Sequence, residues 1–303
     1  MNFSTPVQIA APPFQIEPLE ELLFVGSCFA DGIGQRFAAE RFPVTVNPFG
    51  TMYNPASVLH TIERHEHVPR IVFITLGTNH IYRLKATGEI VDNCQKRPQR
   101  LFSEEQLSVD DCAGYLRKAV ETLRLRRPDV QVVLTVSPIR YQKYGFHESQ
   151  LSKATLLLAV DQIVGDASLP ASRGGTDDDE AGKPPHTDAN PGDATGKPPH
   201  TDACCSSLSY FPAYELVLDE LRDYRFYKED MLHPSSQAVD FIWERLAEHY
   251  LSPRAKRFVR EWKPIREALA HRPFHPESDE YKQFLAETKR KEADLLAQVS
   301  QWT

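Results

Sequence analysis

Glycine is scarce in this chain, with 14 residues in 303 against 23 prolines, so glycine-rich low-complexity and collagen-like architectures are excluded. Cysteine is scarce too. The five cysteines (Cys28, Cys94, Cys112, Cys204, Cys205) are odd in number and contain no CxxC pair, which fits neither a disulfide framework nor a zinc ribbon. No run of about 18 apolar residues occurs and the mean hydropathy is -0.44, so a membrane-spanning helix is not expected. There is no basic excess. Lys and Arg total 35 against 42 Asp and Glu, net -7 with a pI near 5.9, which argues against a phosphate-reading nucleic-acid surface. The opening MNFSTPVQIAAPPF has neither a positive n-region nor an apolar h-region and is not a secretory signal. With free thiols as the default, the expected location is the cytoplasm. What is present is an ordinary globular composition, 41% hydrophobic and 25% charged, long enough for one large domain or two small ones.

One stretch departs from that composition. Residues 165–207 carry the octapeptide GKPPHTDA twice, at Gly182–Ala189 and Gly196–Ala203, and almost no aliphatic side chains. Such a segment cannot bury a core and is expected to be a disordered or solvated insert. It contains eight acids and three bases, and so most of the net charge of the chain. His186 and His200 within it are too few and too loosely placed to form a metal site.

Outside the insert, short apolar runs alternate with amphipathic segments. Strands are expected at Glu21–Gly26, Pro43–Asn47, Arg70–Leu76, Val130–Val136 and Leu208–Phe211. Several are continuously apolar, as strands buried on both faces of a parallel sheet are. Helices are expected at Ala30–Arg41, Ala56–Glu66, Val109–Arg126, Glu148–Val164, Tyr214–Leu221 and Ser236–Leu251, with Ser108 and Asp111 capping the third. This order gives an α/β fold, three-layer α/β/α around a roughly five-stranded parallel sheet. The domain runs over 15–252, interrupted by the insert, and a helical tail follows over 253–303.

In an open parallel sheet, ligands bind beyond the carboxyl ends of the strands. The five segments there read Gly26-Ser27-Cys28-Phe29-Ala30, Asn47 to Pro55, Gly77-Thr78-Asn79-His80, Ser137-Pro138-Ile139-Arg140 and Asp230-Met231-Leu232-His233-Pro234. Together they supply the parts for acyl transfer. Ser27 at a strand-to-helix turn is the expected nucleophile, His233 its base, and Asp230 the group that orients His233. The N–H groups of Ser27 and Gly50 and the side-chain amide of Asn79 are the expected oxyanion donors. Each also has a structural reading. A serine after a strand is commonly a helix cap, Gly50 and Asn79 suit turns, and Cys28 reads as a small buried packing residue with a rival claim to be the nucleophile.

The segments GSCFA, NPFGTMYNP, TLGTN, NCQK, TVSPIR and YFPAYELVLDELRDYRFYKEDMLHP resemble the GSCFA family, over roughly Leu22 to Leu251. That family is similar to SGNH, or GDSL-type, esterases. The resemblance implies an SGNH-like, flavodoxin-like fold and carries Ser27, Gly50, Asn79 and the Asp230/His233 pair onto the serine, glycine, asparagine and histidine blocks. Two features depart from the pattern. The first block reads GSC where GDS is usual, and His80 stands where an Asp commonly follows the Asn. The loop Asn93-Cys94-Gln95-Lys96 also lacks an expected His, with Gln95 in its place. Asn93, His80 and Arg140 are candidates for substrate contact, Arg140 either by gripping a carboxylate or phosphate or by pairing with local acids. The implied activity is a serine esterase acting on a short O-acyl, such as O-acetyl, group of a small molecule or carbohydrate. An acyltransferase using the same serine and a non-catalytic carbohydrate-binding module are the alternatives. No cofactor, metal, nucleic-acid or membrane partner is expected.

Overall fold

In the computed structural model, residues 5–92, 97–168, 207–299 and 301–302 are described. Asn93, Gln95 and both GKPPHTDA copies, with His186 and His200, lie outside the described residues.

The chain begins with β1 (Leu22–Gly26), α1 (Cys28–Ala39), β2 (Val44–Val46), α2 (Pro55–Arg64) and β3 (Ile71–Leu76). A smaller unit follows: β4 (His80–Leu84), β5 (Ile90–Val91) and β6 (Phe102–Gln106). The main fold resumes with α3 (Val109–Arg126), β7 (Gln131–Val136), α4 (Phe146–Ser168), β8 (Leu208–Tyr210), a short α5 (Ala213–Glu215) and α6 (Ser236–Tyr250). Two helices close the chain, α7 (Pro253–Ala270) and α8 (Asp279–Val299).

The central sheet has the order β2-β1-β3-β7-β8, and every pair in it is parallel. Alternation along the strands sorts the core into two layers. Leu23, Val25, Val72, Ile74, Val132 and Leu134 face α2, α3 and α4. Leu22, Phe24, Ile71, Phe73 and Val133 face α1 and α6. Phe24 and Phe73 are register partners, and their rings stack at 4.7 Å. All five central strands lie where the apolar runs place them.

Two local differences have clear causes. The segment 80–106 forms a three-stranded antiparallel sheet, ordered β5-β4-β6, that the sequence pattern does not announce. Its strands HIYRL and FSEEQ are partly exposed and charged, so no apolar run marks them. The helix expected over Tyr214–Leu221 is α5 followed by a π-helical turn at Leu216–Leu221, ended by Arg222 in the left-handed region. The Ser108/Asp111 capping box is present, as the sequence expects.

The terminal helices build a core of their own from Phe258, Trp262, Ile265 and Leu295. They are fixed to the end of α1. The Trp262 indole N–H donates to the Ala39 carbonyl at 2.8 Å, and Arg266 pairs with Glu40. Among the described residues, no helix is long and apolar enough to cross a membrane.

Candidate active site

The turn leaving β1 is built around Gly26. Its φ is +139°, and a Cβ there would overlap the carbonyl of Thr75, its register partner on β3. Only glycine fits. Gly26→Ala is expected to destabilise the fold by at least about 3 kcal/mol, combining backbone strain with displacement of β3. A denaturant titration checks this.

Ser27 follows and is fully buried, at 0% exposure. Its N–H donates to the Thr75 carbonyl at 3.0 Å, and its hydroxyl accepts the N–H of Phe29 at 3.3 Å as the N-cap of α1. Its remaining polar contact is the Thr75 hydroxyl at 3.3 Å. The hydroxyl expected to be a nucleophile therefore makes no hydrogen bond to His233, because the cap geometry turns it toward β3.

The next side chain does reach the histidine. Cys28, the first residue of α1, is half-buried, and its S–H donates to His233 Nε2 at 3.7 Å. His233 Nδ1–H in turn donates to Asp230 Oδ2 at 2.6 Å. Asp230 Oδ1 accepts the N–H groups of Leu232 and His233 at 2.9 and 3.0 Å. Those backbone donors, first that of His233 and then that of Leu232, with the His233 side chain, lower the Asp230 pKa to about 2. Burial, aided by Asp31, raises the Cys28 thiol pKa, so the resting group is the thiol.

The loop carrying Asp230 and His233 is strained at Met231, whose φ is +56°. It is held by Arg140 from the loop after β7. The Arg140 N–H donates to the Leu232 carbonyl and its guanidinium to the Met231 carbonyl, both at 3.1 Å. The guanidinium also lies 4.0 Å from the Phe146 ring and 5.6 Å from that of Tyr227. Among the described residues Arg140 makes no pair with an acid; its guanidinium contacts the Met231 carbonyl and the aromatic rings. Arg140→Ala is expected to lower kcat about ten- to a hundredfold with little change in KM, since a displaced base costs rate more than binding. Steady-state kinetics on a short-chain ester separates the two.

Each of the three expected oxyanion donors makes a hydrogen bond within the protein. Ser27 N–H is bound to Thr75, as above. Gly50 is exposed, and its N–H closes a turn on the Asn47 carbonyl at 2.8 Å. Asn79 is buried, and its amide nitrogen donates to the Leu107 carbonyl at 2.8 Å. The structure leaves other donors at the same edge. Cys28 contributes its N–H at the positive end of α1. Tyr53 follows Met52, whose N–H holds the Gly26 carbonyl, and its own N–H has no acceptor among the described residues.

His80 is buried at 5% exposure, with Nδ1–H on Glu104 and its ring stacked on Tyr144 at 3.8 Å. It lines a cavity of about 250 Å³ together with Tyr53, Thr78, Tyr82, Tyr141 and Tyr144. The tyrosines of this cavity were not foreseen from the sequence; Tyr82 lies in, and Tyr144 against, the unannounced antiparallel sheet. Among the described residues, no group of three or more His, Cys, Asp or Glu could hold a metal ion.

The GSCFA family model matches residues 21–69, 65–171 and 200–246. The chain belongs to the GSCFA family. The model of the C-terminal domain of GSCFA domain proteins matches residues 262–301, which begin inside α7 and include all of α8. No curated protein matches this GSCFA chain. Solved structures similar to it include a carbohydrate esterase family 3 protein from Talaromyces cellulolyticus, at 10% identity and TM-score 0.38, covering 80% of this chain and 98% of that one. An acetyl esterase mutant with acetate ion is 11% identical, TM-score 0.39, over 81% of this chain and 99% of that one. A family two carbohydrate esterase from Clostridium thermocellum in complex with cellohexaose is 10% identical, TM-score 0.42, over 77% of this chain and 64% of that one.

Proposed function

We propose that this GSCFA protein is an acyl ester hydrolase whose nucleophile is the Cys28 thiol, with His233 as general base and Asp230 as its orienting carboxylate. The observation that carries this reading is the continuous relay from Cys28 Sγ through His233 to Asp230, at 3.7 and 2.6 Å. Ser27, in the expected nucleophile position, serves instead as the cap that seats α1.

The chemistry follows from the parts. Cys28 Sγ bonds to the acyl carbon of an ester as its proton passes to His233 Nε2 and the carbonyl π pair moves onto oxygen. Asp230 holds the imidazolium that results. The oxyanion is stabilised by the N–H of Cys28, at the α1 N-terminus, and by that of Tyr53. Collapse re-forms the carbonyl and breaks the bond to the alcohol, which takes the proton back from His233. Water then attacks the thioester by the same route, releasing the acid and the thiol.

The substrate is a short O-acyl, such as O-acetyl, ester of a hydroxylated ring. The cavity offers flat aromatic walls from Tyr53, Tyr82, Tyr141 and Tyr144, and Asn54, His80, Asp92 and Lys143 add polar groups; a hydroxylated sugar ring suits that combination. Release of p-nitrophenol from p-nitrophenyl acetate, and of acetate from acetylated sugars, tests this. No turnover on either would overturn it.

A further inference from the structure

α4 carries a charged side chain that the reaction above does not use. Lys153 is 2% exposed, and among the described residues no carboxylate lies within ion-pairing distance of its amine. A buried cation without a counter-ion is strongly disfavoured, so its place in the fold calls for a reason. The amine donates to the Gly77 carbonyl at 2.6 Å and stands 5.1 and 6.0 Å from the rings of Tyr141 and Tyr214.

Gly77 is the first residue past β3, and its N–H is bound to the Tyr53 carbonyl at 2.8 Å. A Cβ at Gly77 would collide with the Tyr141 hydroxyl, which is itself buried without a partner. Because β3 is in register with β1 through Gly26 and Thr75, this cluster shares the sheet edge from which Cys28 emerges. An ionised Cys28 would raise the Lys153 amine's pKa, and the Lys153 cation favours the Cys28 thiolate.

We propose that Lys153 is the buried counter-charge of the active site, a positioning residue whose field stabilises the Cys28 thiolate and the oxyanion that follows from its attack. The role rests on the reading of Cys28 as nucleophile. Burial lowers the amine's pKa to about 7, and a negative charge on Cys28 raises it again, so the cation is held when the site turns anionic. The other charged or titratable groups around the thiol are Asp31 on α1, Lys228, Asp230 and His233 on the histidine loop, and Tyr53 and Tyr141 on the strand-end loops. Asp31 opposes the thiolate, while Lys228 and Lys153 favour it.

Two substitutions separate charge from structure. Lys153→Gln removes the charge and keeps an N–H donor for the Gly77 carbonyl. Lys153→Met removes both and nearly preserves volume. The readout is the pH dependence of Cys28 alkylation by iodoacetamide in the full-length protein, followed by mass spectrometry of the Cys28 peptide. Both variants are expected to move the profile to higher pH by about one unit, slowing alkylation near pH 7 by about tenfold. The Gln variant should keep the wild-type unfolding temperature. Profiles superimposable on wild type in both variants would overturn the proposal and leave Lys153 as a pin for the Gly77 loop. The underlying reading fails separately: if Cys28→Ala still turns over p-nitrophenyl acetate, the nucleophile assignment is wrong whatever Lys153 does.

Discussion

Cys28→Ala is expected to lower ester hydrolysis by about four orders of magnitude or more, while Ser27→Ala leaves turnover within a few-fold of wild type. The adjacent residues differ in what their side chains face. Cys28 meets His233 Nε2, and Ser27 meets Thr75 and the Phe29 N–H. Removing the sulfur leaves His233 nothing to activate. Removing the Ser27 hydroxyl costs α1 its cap, about 1 kcal/mol, without touching the relay. Ser27→Ala should therefore melt roughly 2–4 °C lower. Turnover of p-nitrophenyl acetate and a thermal melt on the same two proteins check both halves.

Asp230→Asn is expected to reduce kcat by about a hundredfold to ten-thousandfold and leave the loop in place. The Asn oxygen can still accept the N–H groups of Leu232 and His233, which anchor the turn. What is lost is the anion facing His233 Nδ1, and with it the preference for the tautomer that leaves Nε2 free to accept the thiol proton. The pH dependence has a definite sign. The folded pKa of Asp230 lies below its unfolded value, so its contribution to stability is full above about pH 4 and is lost as pH falls through about 2. Asp230 stays ionised throughout the neutral range, so an acid limb of kcat/KM near neutrality belongs to another group. A pH–rate profile of wild type beside the Asn variant checks this.

The architecture was legible because burial on both faces leaves a nearly continuous apolar run, as in β1, β3 and β7, while the short outer strands β2 and β8 are marked by their place between helices. The His233/Asp230 pair was legible from its three-residue spacing before a helix. Which of Ser27 and Cys28 meets His233 was not. Ser27 and Cys28 both follow β1, and which one faces the histidine depends on where α1 begins; it begins at Cys28, two residues before the sequence pattern suggests. The hydrogen bonds of the expected oxyanion donors were hidden for a related reason. Gly50 closes the local turn on Asn47 that its sequence also allows, whereas the Asn79 amide bonds the Leu107 carbonyl, which only the fold brings near it. Lys153 shows the same limit. In sequence it is one lysine on a helix, and only packing against Tyr141 and Tyr214 makes it a buried charge.

The most direct measurement is to trap the acyl-enzyme. The protein is mixed with p-nitrophenyl acetate, quenched in acid, digested and sequenced by tandem mass spectrometry across the Ser27–Cys28 bond. The acetyl group is expected on Cys28, removable by neutral hydroxylamine as a thioester is, and absent from the Cys28→Ala protein. A hydroxylamine-resistant acetyl group on Ser27 that persists in the Cys28→Ala protein would contradict the thiol mechanism.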